Sequence, residues 1–246
     1  MAMAAILMAL LGCAASCGVQ TGYVPETVPV HRGRGLLDAP PAALDSLRVL
    51  SWNIAYADSV DLAVRELRAD PRLAAADIVL LQEMDPDGSR RVAAALGFHL
   101  AHAASMISPH DADLFGNAVL SRWPIAAAGV LVLPHGTPWT GHRRSAVWAD
   151  VDLGPWGVLR AVSLHAATLV VDQEDRFAQH AAAADSLARS GDIVVFGGDF
   201  NTVSDFEVDR LRQAMRRRGL HAVRLPAGPT IRNRFKRLPG SVPVLD

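Results

Sequence analysis

The 246 residues include only two cysteines, Cys13 and Cys17, both near the start. The body of the chain therefore has no disulfide, no thiolate metal site and no thiol nucleophile. Lysine is nearly absent: Lys236 is the only one, and every other basic residue is an arginine. With 24 basic against 25 acidic side chains the formal net charge is −1, which argues against coating nucleic acid through bulk charge. The apolar stretch over residues 1–18 is too short and too small-sided for a convincing membrane span. No internal repeat marks a solenoid. What the chain does have is apolar content, 50% of its residues, enough for a substantial core rather than disorder. Its length allows one sizeable domain or two small ones.

Residues 1–18 read as a secretory leader. Leu10-Leu11-Gly12-Cys13 is similar to a bacterial lipobox, whose cysteine is lipidated after cleavage, and Ala15-Ser16-Cys17 is a poorer second match. The pattern departs from such leaders in one respect, since no Lys or Arg precedes Arg32. The expectation is an exported, membrane-anchored bacterial lipoprotein; the alternative is a cytoplasmic protein with a misassigned start. Residues 19–46, with Pro, Gly and scattered charge but no periodicity, read as a linker. The domain proper spans 47–246 and is expected to be a monomer.

Within it, β-rich apolar runs predict strands at Leu47–Ile54, Asp77–Gln82, Phe98–Ala103, Asn117–Ser121, Gly129–Leu133, Ala146–Leu153, Val158–Leu164 and Ile193–Phe196. Helical spacing predicts helices over Val60–Ala76, broken near Pro71, and over Ser89–Leu96, Asp172–Arg189 and Phe206–Arg218. Many strands with interspersed helices indicate two packed sheets with helices outside, a four-layer α/β/β/α sandwich.

Several of these strands end in polar residues suited to chemistry. The first ends Trp52-Asn53, the second Gln82-Glu83, a later one Leu164-His165, and the last leads through Gly197-Gly198 to Asp199-Phe200-Asn201. One such ending is an ordinary turn, because Gly, Asp and Asn are turn residues. Four of them can converge on one cleft at the sheet ends. Hydrolysis of a phosphate ester needs an anion that orients water and a neutral donor that holds phosphoryl oxygens, and Asp199 and Asn201 supply that pair.

Trp52-Asn53, Gln82-Glu83, Gly116-Asn117-Ala118-Val119-Leu120-Ser121, His165 and Gly198-Asp199-Phe200-Asn201 together resemble the ordered motifs of the endonuclease/exonuclease/phosphatase superfamily. The resemblance runs from about Leu47 to Asp246. It implies a deoxyribonuclease-I-like sandwich and a phosphoesterase dependent on Mg²⁺, or Mn²⁺, acting by in-line attack of water. It implies Glu83 as metal ligand with Asn53 beside the metal, and Asp199 as the carboxylate that orients or deprotonates water. By the same resemblance Asn201 steadies the phosphate and His165 stabilises charge or gives a proton to the leaving oxygen. Asn117, and Arg143 or Arg144, are implied as phosphate contacts. The other histidines (His99, His102, His110, His135, His142 and His180) are read as structural or surface residues.

The family pattern closes with two further strands, the second ending in an Asp-His pair. Val242-Pro243-Val244-Leu245-Asp246 resembles the start of the first. The expectation is a domain incomplete at its C-terminus, with residues 1–246 giving little or no turnover of bis-p-nitrophenyl phosphate. Turnover abolished by Asp199→Ala, or a stop codon directly after Asp246 in the gene, would contradict it. Substrate is left open among nucleic acid, phospholipid head groups and small phosphodiesters. Eight basic and no acidic residues between Arg216 and Arg237 suit any polyanion or a lipid head group. The alternative function is a non-catalytic surface protein that binds phosphoesters on the same fold.

Overall fold

The computed structural model describes residues 29–36, 46–55, 57, 59–107, 114–138, 141–188 and 193–223. The leader with Cys13 and Cys17, and the closing segment from residue 224, lie outside the described residues. In chain order the elements are β1 (His31–Gly33), β2 (Val49–Asn53), α1 (Val60–Ala69), α2 (Pro71–Ala74), β3 (Ile78–Met84), α3 (Pro86–Leu96), β4 (His99–Ile107), β5 (Leu114–Ser121), β6 (Ile125–Val132), β7 (Ser145–Asp152), β8 (Val158–His165), α4 (Gln173–Ala188), β9 (Ile193–Asp199) and α5 (Asp205–Arg216).

One sheet has the order β1-β4-β5-β3-β2 and the other β6-β7-β8-β9. Three apolar clusters fill three interfaces. Val60, Ala63 and Leu67 of α1 pack on Val79, Leu81 and Leu120 of the first sheet. Ile78, Leu80 and Val119 meet Val147, Ala149 and Leu159 between the sheets. Ala146, Val162 and Leu164 pack against Ala183 of α4. The layers are therefore helix, sheet, sheet, helix. β3 supplies Val79 and Leu81 to one interface and Ile78 and Leu80 to the next, so a strand buried on both faces reads as an unbroken apolar run.

Each sheet contains one parallel pair, β2 with β3 and β8 with β9, joined by a helical crossover. The pairs deliver Asn53, Glu83, His165 and Asp199 at or near their carboxyl ends. Local signals set the helices: Asp70 closes α1 and caps α2 by accepting from Arg72 N at 2.7 Å. Asp85 caps α3, Pro86 opens it, and Gly97 closes it at φ 71°.

The structure departs from the sequence expectations in extent. Helix α3 begins at Pro86 rather than Ser89, and β4 continues to Ile107. His31–Gly33, within the stretch read as a linker, is a short edge strand paired antiparallel with β4. β9 does not stop at Phe196 but runs through both glycines to Asp199. Glycine usually weakens a strand, but here the neighbours demand it. A Cβ on Gly198, at φ 138°, would lie 1.9 Å from Leu164 O, and one on Gly197 would lie 2.8 Å from Leu80 Cδ1. Among the described residues no helix is long and apolar enough to cross a membrane.

Candidate active site

Two residues of β3, Gln82 and Glu83, stand opposite Asn117 alone on β5, a bulge between the pairs Leu81–Ala118 and Met84–Gly116. Glu83 has φ 59° there, a conformation that costs a non-glycine residue about 1–3 kcal/mol. The described residues include five non-glycine positions of positive φ, and four of them, Ala55, Ala57, Glu83 and Asn201, follow or form these strand ends. Strain concentrated in one place is a mark of a functional site.

The side chains from the two sheets meet. Asn53 donates from Nδ2 to Asp199 Oδ2 at 2.9 Å and accepts from Ala55 N at Oδ1. His165 Nε2 lies 3.7 Å from Glu83 Oε1 and 4.0 Å from Asp199 Oδ2. His165 is 4% exposed, against 14% for Glu83 and 19% for Asp199, so the carboxylates keep contact with solvent while the ring does not. Arg144 approaches His165 Nδ1 from the far side at 3.3 Å. A guanidinium can only donate, so Nδ1 accepts and the proton sits on Nε2, facing both carboxylates. Burial first, and the Arg144 charge second, hold His165 well below the usual imidazole range.

The sequence left Arg143 and Arg144 equivalent, and the structure separates them. Arg144 reaches His165, whereas Arg143 donates from Nε to Leu133 O at 3.0 Å. Asn201 links the two loops, donating from Nδ2 to Ala166 O at 2.9 Å and from its backbone N to Asp199 Oδ1 at 3.0 Å. Asn117 is buried and ties the sheets together through Ser145, donating to its carbonyl at 2.9 Å and its hydroxyl at 3.2 Å. Ser145 pairs with His165, so Asn117 stands behind the histidine, with both amide hydrogens engaged there.

The sequence assigns no role to several supporting residues. Gln82 donates to Ser163 Oγ, which donates on to Leu81 O, both at 2.8 Å, a buried link between the sheets beside Glu83. Gln179, fully buried on α4, accepts from Ala167 N and donates to Pro134 O and His135 O. It joins the loop after His165 to the loop before Arg143. No local pattern marks a buried glutamine, and the buried side of its helix also holds Arg176 and His180.

The donor set fits a hard divalent cation. Mg²⁺ prefers oxygen ligands, keeps several waters and needs only one or two protein carboxylates. Glu83 offers a carboxylate and Asn53 Oδ1 a second lone pair beyond the one Ala55 uses. Among the described residues no group of three or more His, Cys, Asp or Glu side chains is arranged to hold a metal. Glu83 and Asn53 together suit an ion that keeps most of its waters.

Residues 50–243 match the model of the Endonuclease/Exonuclease/phosphatase family. The chain belongs to that family. A UPF0294 protein of Vibrio parahaemolyticus is 24% identical over 191 residues, which cover 77% of this chain and 64% of that relative's length. A sphingomyelinase C from Streptomyces griseocarneus shares the fold at TM-score 0.54 and 18% identity, over 69% of this chain and 70% of its own. A variant beta toxin from Staphylococcus aureus, whose structure holds bound magnesium ions, aligns at TM-score 0.53 and 13% identity over 69% and 70% of the two chains. The mixed α/β fold with two sheets is that of these deoxyribonuclease-I-like structures, and members of the family are phosphoesterases.

Two buried histidines away from the reacting groups give a pH prediction. Burial pushes His102 and His180 down to about 4, against smaller raising effects from the carbonyls of Met84 and Phe200. Their ordinary value is about 6.5, so below that pH the unfolded chain takes up protons that the folded one refuses. The stability they confer is full above about pH 6.5 and lost as pH falls towards 4, at most about 3 kcal/mol for each ring. Urea midpoints measured from pH 7.5 to 4.5 should fall steadily, and substituting either histidine with Gln should flatten the curve.

Proposed function

We propose that this protein is a Mg²⁺-dependent hydrolase of phosphodiesters that uses water as nucleophile. The observation that supports it most is the convergence of Glu83 and Asp199, from two sheets, on Nε2 of the buried His165, with Asn53 bonded to Asp199. Glu83 and Asn53 would hold the ion, which when bound supplies a Lewis acid that offsets charge on the phosphoryl oxygens. Asp199, fixed at both oxygens by Asn53 and the Asn201 amide, presents a carboxylate that orients the attacking water and accepts its proton. His165 favours the role of hydrogen-bond donor over proton donor, because Arg144 keeps Nδ1 unprotonated and a neutral imidazole gives up its remaining proton poorly. Arg144 itself adds positive charge beside the phosphate.

The same proposal places the protein outside the cytoplasm, anchored through a lipid on Cys13, and working on extracellular phosphodiesters or lipid head groups rather than on a genome. Labelling cells with a clickable fatty acid tests the anchor: label on the wild type and its loss in Cys13→Ala support it, and label retained by that variant but lost from Cys17→Ala moves the site. The activity is tested on the full-length gene product with duplex DNA, sphingomyelin, inositol phosphates and p-nitrophenyl esters, in Mg²⁺ and then in EDTA. Turnover that EDTA removes supports the reading and names the ester. Calorimetric binding of Mg²⁺ and a non-hydrolysable phosphodiester, without turnover on any ester, would replace it with a non-catalytic phosphoester-binding protein.

A further inference from the structure

We propose that His102 and His180 are positioning residues, each fixing one site carboxylate by holding the backbone carbonyl immediately after it. The inference rests on the reading of Glu83 and Asp199 as the working carboxylates. His102, on β4, places Nε2 3.0 Å from the carbonyl of Met84, the residue after Glu83. His180, on α4, places Nε2 3.1 Å from the carbonyl of Phe200, the residue after Asp199. The two histidines lie on unrelated elements, in different layers, and make the same bond to the same position relative to a carboxylate.

A carbonyl only accepts, so in both rings Nε2 carries the hydrogen and Nδ1 is a bare acceptor. Both Nδ1 atoms are buried, and among the described residues neither has a hydrogen-bond partner. Packing alone does not explain such residues: a leucine would fill a similar space without stranding a polar nitrogen. The donor at Nε2 is the property that only the imidazole brings. Their low pKa keeps both rings neutral at working pH, so the bond is a fixed mechanical one.

The two carbonyls are places where ordinary sheet bonding falters. Met84 follows the bulge in which Glu83 adopts its left-handed φ, and Phe200 lies just past the end of β9, before the left-handed Asn201. His102 shares the helix-covered face with Leu100, two residues earlier on β4, and reaches across β5 to β3. His180 is held edge-on between Phe177 and Phe200, ring centroids 5.7 and 5.5 Å away. In each case a rigid, packed ring pins the peptide that aims the carboxylate. Supporting partners of this kind commonly change metal affinity by about 10- to 100-fold.

The test uses the full-length protein for both Mn²⁺ calorimetry and steady-state hydrolysis of bis-p-nitrophenyl phosphate. His102→Leu should weaken Mn²⁺ binding about tenfold or more. His180→Leu should leave Mn²⁺ binding nearly unchanged and lower kcat about tenfold or more at similar KM, because Asp199 and not the metal site is loosened. His102→Gln and His180→Gln should restore most of each loss, since the glutamine Nε2 is the same number of bonds from the backbone. Equal losses of both readouts in both Leu variants, or no rescue by Gln, would reduce the histidines to packing and overturn the inference. Should a Leu variant not fold, the comparison becomes Gln against Asn, whose amide stops one bond short: Gln functioning and Asn impaired supports the inference, and equality overturns it. Wild-type protein that binds no Mn²⁺ would remove the functional reading itself, and this inference with it. Normal wild-type binding with unaltered variants would remove this inference alone.

Discussion

In the full-length protein, Asp199→Ala should lower phosphodiester turnover by about 10²- to 10⁴-fold, the usual worth of a positioned general base, with Mn²⁺ affinity close to wild type. The carboxylate has two partners to lose, Asn53 Nδ2 on one oxygen and the Asn201 amide on the other. Asp199 is partly exposed, so water can satisfy both donors, and the stability cost should stay near 1 kcal/mol, a shift in Tm of about 2–4 °C. Alanine is a better probe than asparagine. An amide at 199 would turn an NH₂ group towards one of two donors and add a repulsion unrelated to catalysis. Glu83→Gln supplies the contrast, since it should lose Mn²⁺ binding as well as turnover. If Asp199→Ala retains more than a tenth of wild-type kcat while Glu83→Gln is inactive, Asp199 is a structural anchor for Asn53 and not the group that activates water.

The strand ends were legible in the sequence because apolar runs and the polar residues that close them are local. Their convergence was not. It depends on two parallel crossovers that bring β2, β3, β8 and β9 to one edge, which here was inferred from the order of motifs and not from periodicity. The bulge at Gln82–Glu83 leaves no trace in alternation, because the extra residue only appears when the partner strand is counted. Adjacent Arg143 and Arg144 diverge because successive residues of an extended chain point to opposite sides, and the register that decides which one meets His165 is a tertiary property. The glycines at 197 and 198 misled in an instructive way. They punctuate most strands, yet in β9 they let the strand press against β8 and Leu80. Asp85-Pro86 is a helix start that the local sequence carries, whereas the three residues of β1 carry no signal strong enough to separate them from a linker. The buried histidines had no signature at all, since one His on an apolar face looks the same whether it fills space or holds a carbonyl.

Glu207→Gln should destabilise the fold by about 3–5 kcal/mol, a fall in Tm of roughly 10 °C or more, the largest stability effect expected of a single conservative change here. Arg176 and Glu207 form an ion pair with both side chains about 95% buried, at 6% and 5% exposure. The carboxylate also accepts from Gln173 Nε2 at 2.9 Å and from Val203 N at 2.7 Å, while Ser204 Oγ accepts from Glu207 N at 3.2 Å to cap α5. Glutamine keeps the size and one acceptor oxygen but turns an NH₂ group towards a donor, so the loss combines that repulsion with an Arg176 guanidinium left buried without its counterion. Breaking such a pair on one side costs far more than replacing both partners, because the penalty is the desolvated charge left behind. Arg176→Met combined with Glu207→Leu should therefore recover much of the stability that Glu207→Gln loses, although it adds an apolar volume and leaves Val203 N unpaired. The pair lies behind the loop of Asn201 and joins the start of α4 to the start of α5, the two helices that follow His165 and Asp199. Turnover measured well below the lowered Tm separates the roles: kcat recovered along with stability in the double variant makes the pair a brace for the layer, whereas stability recovered with kcat still depressed makes it part of what holds the Asp199–Asn201 turn in register.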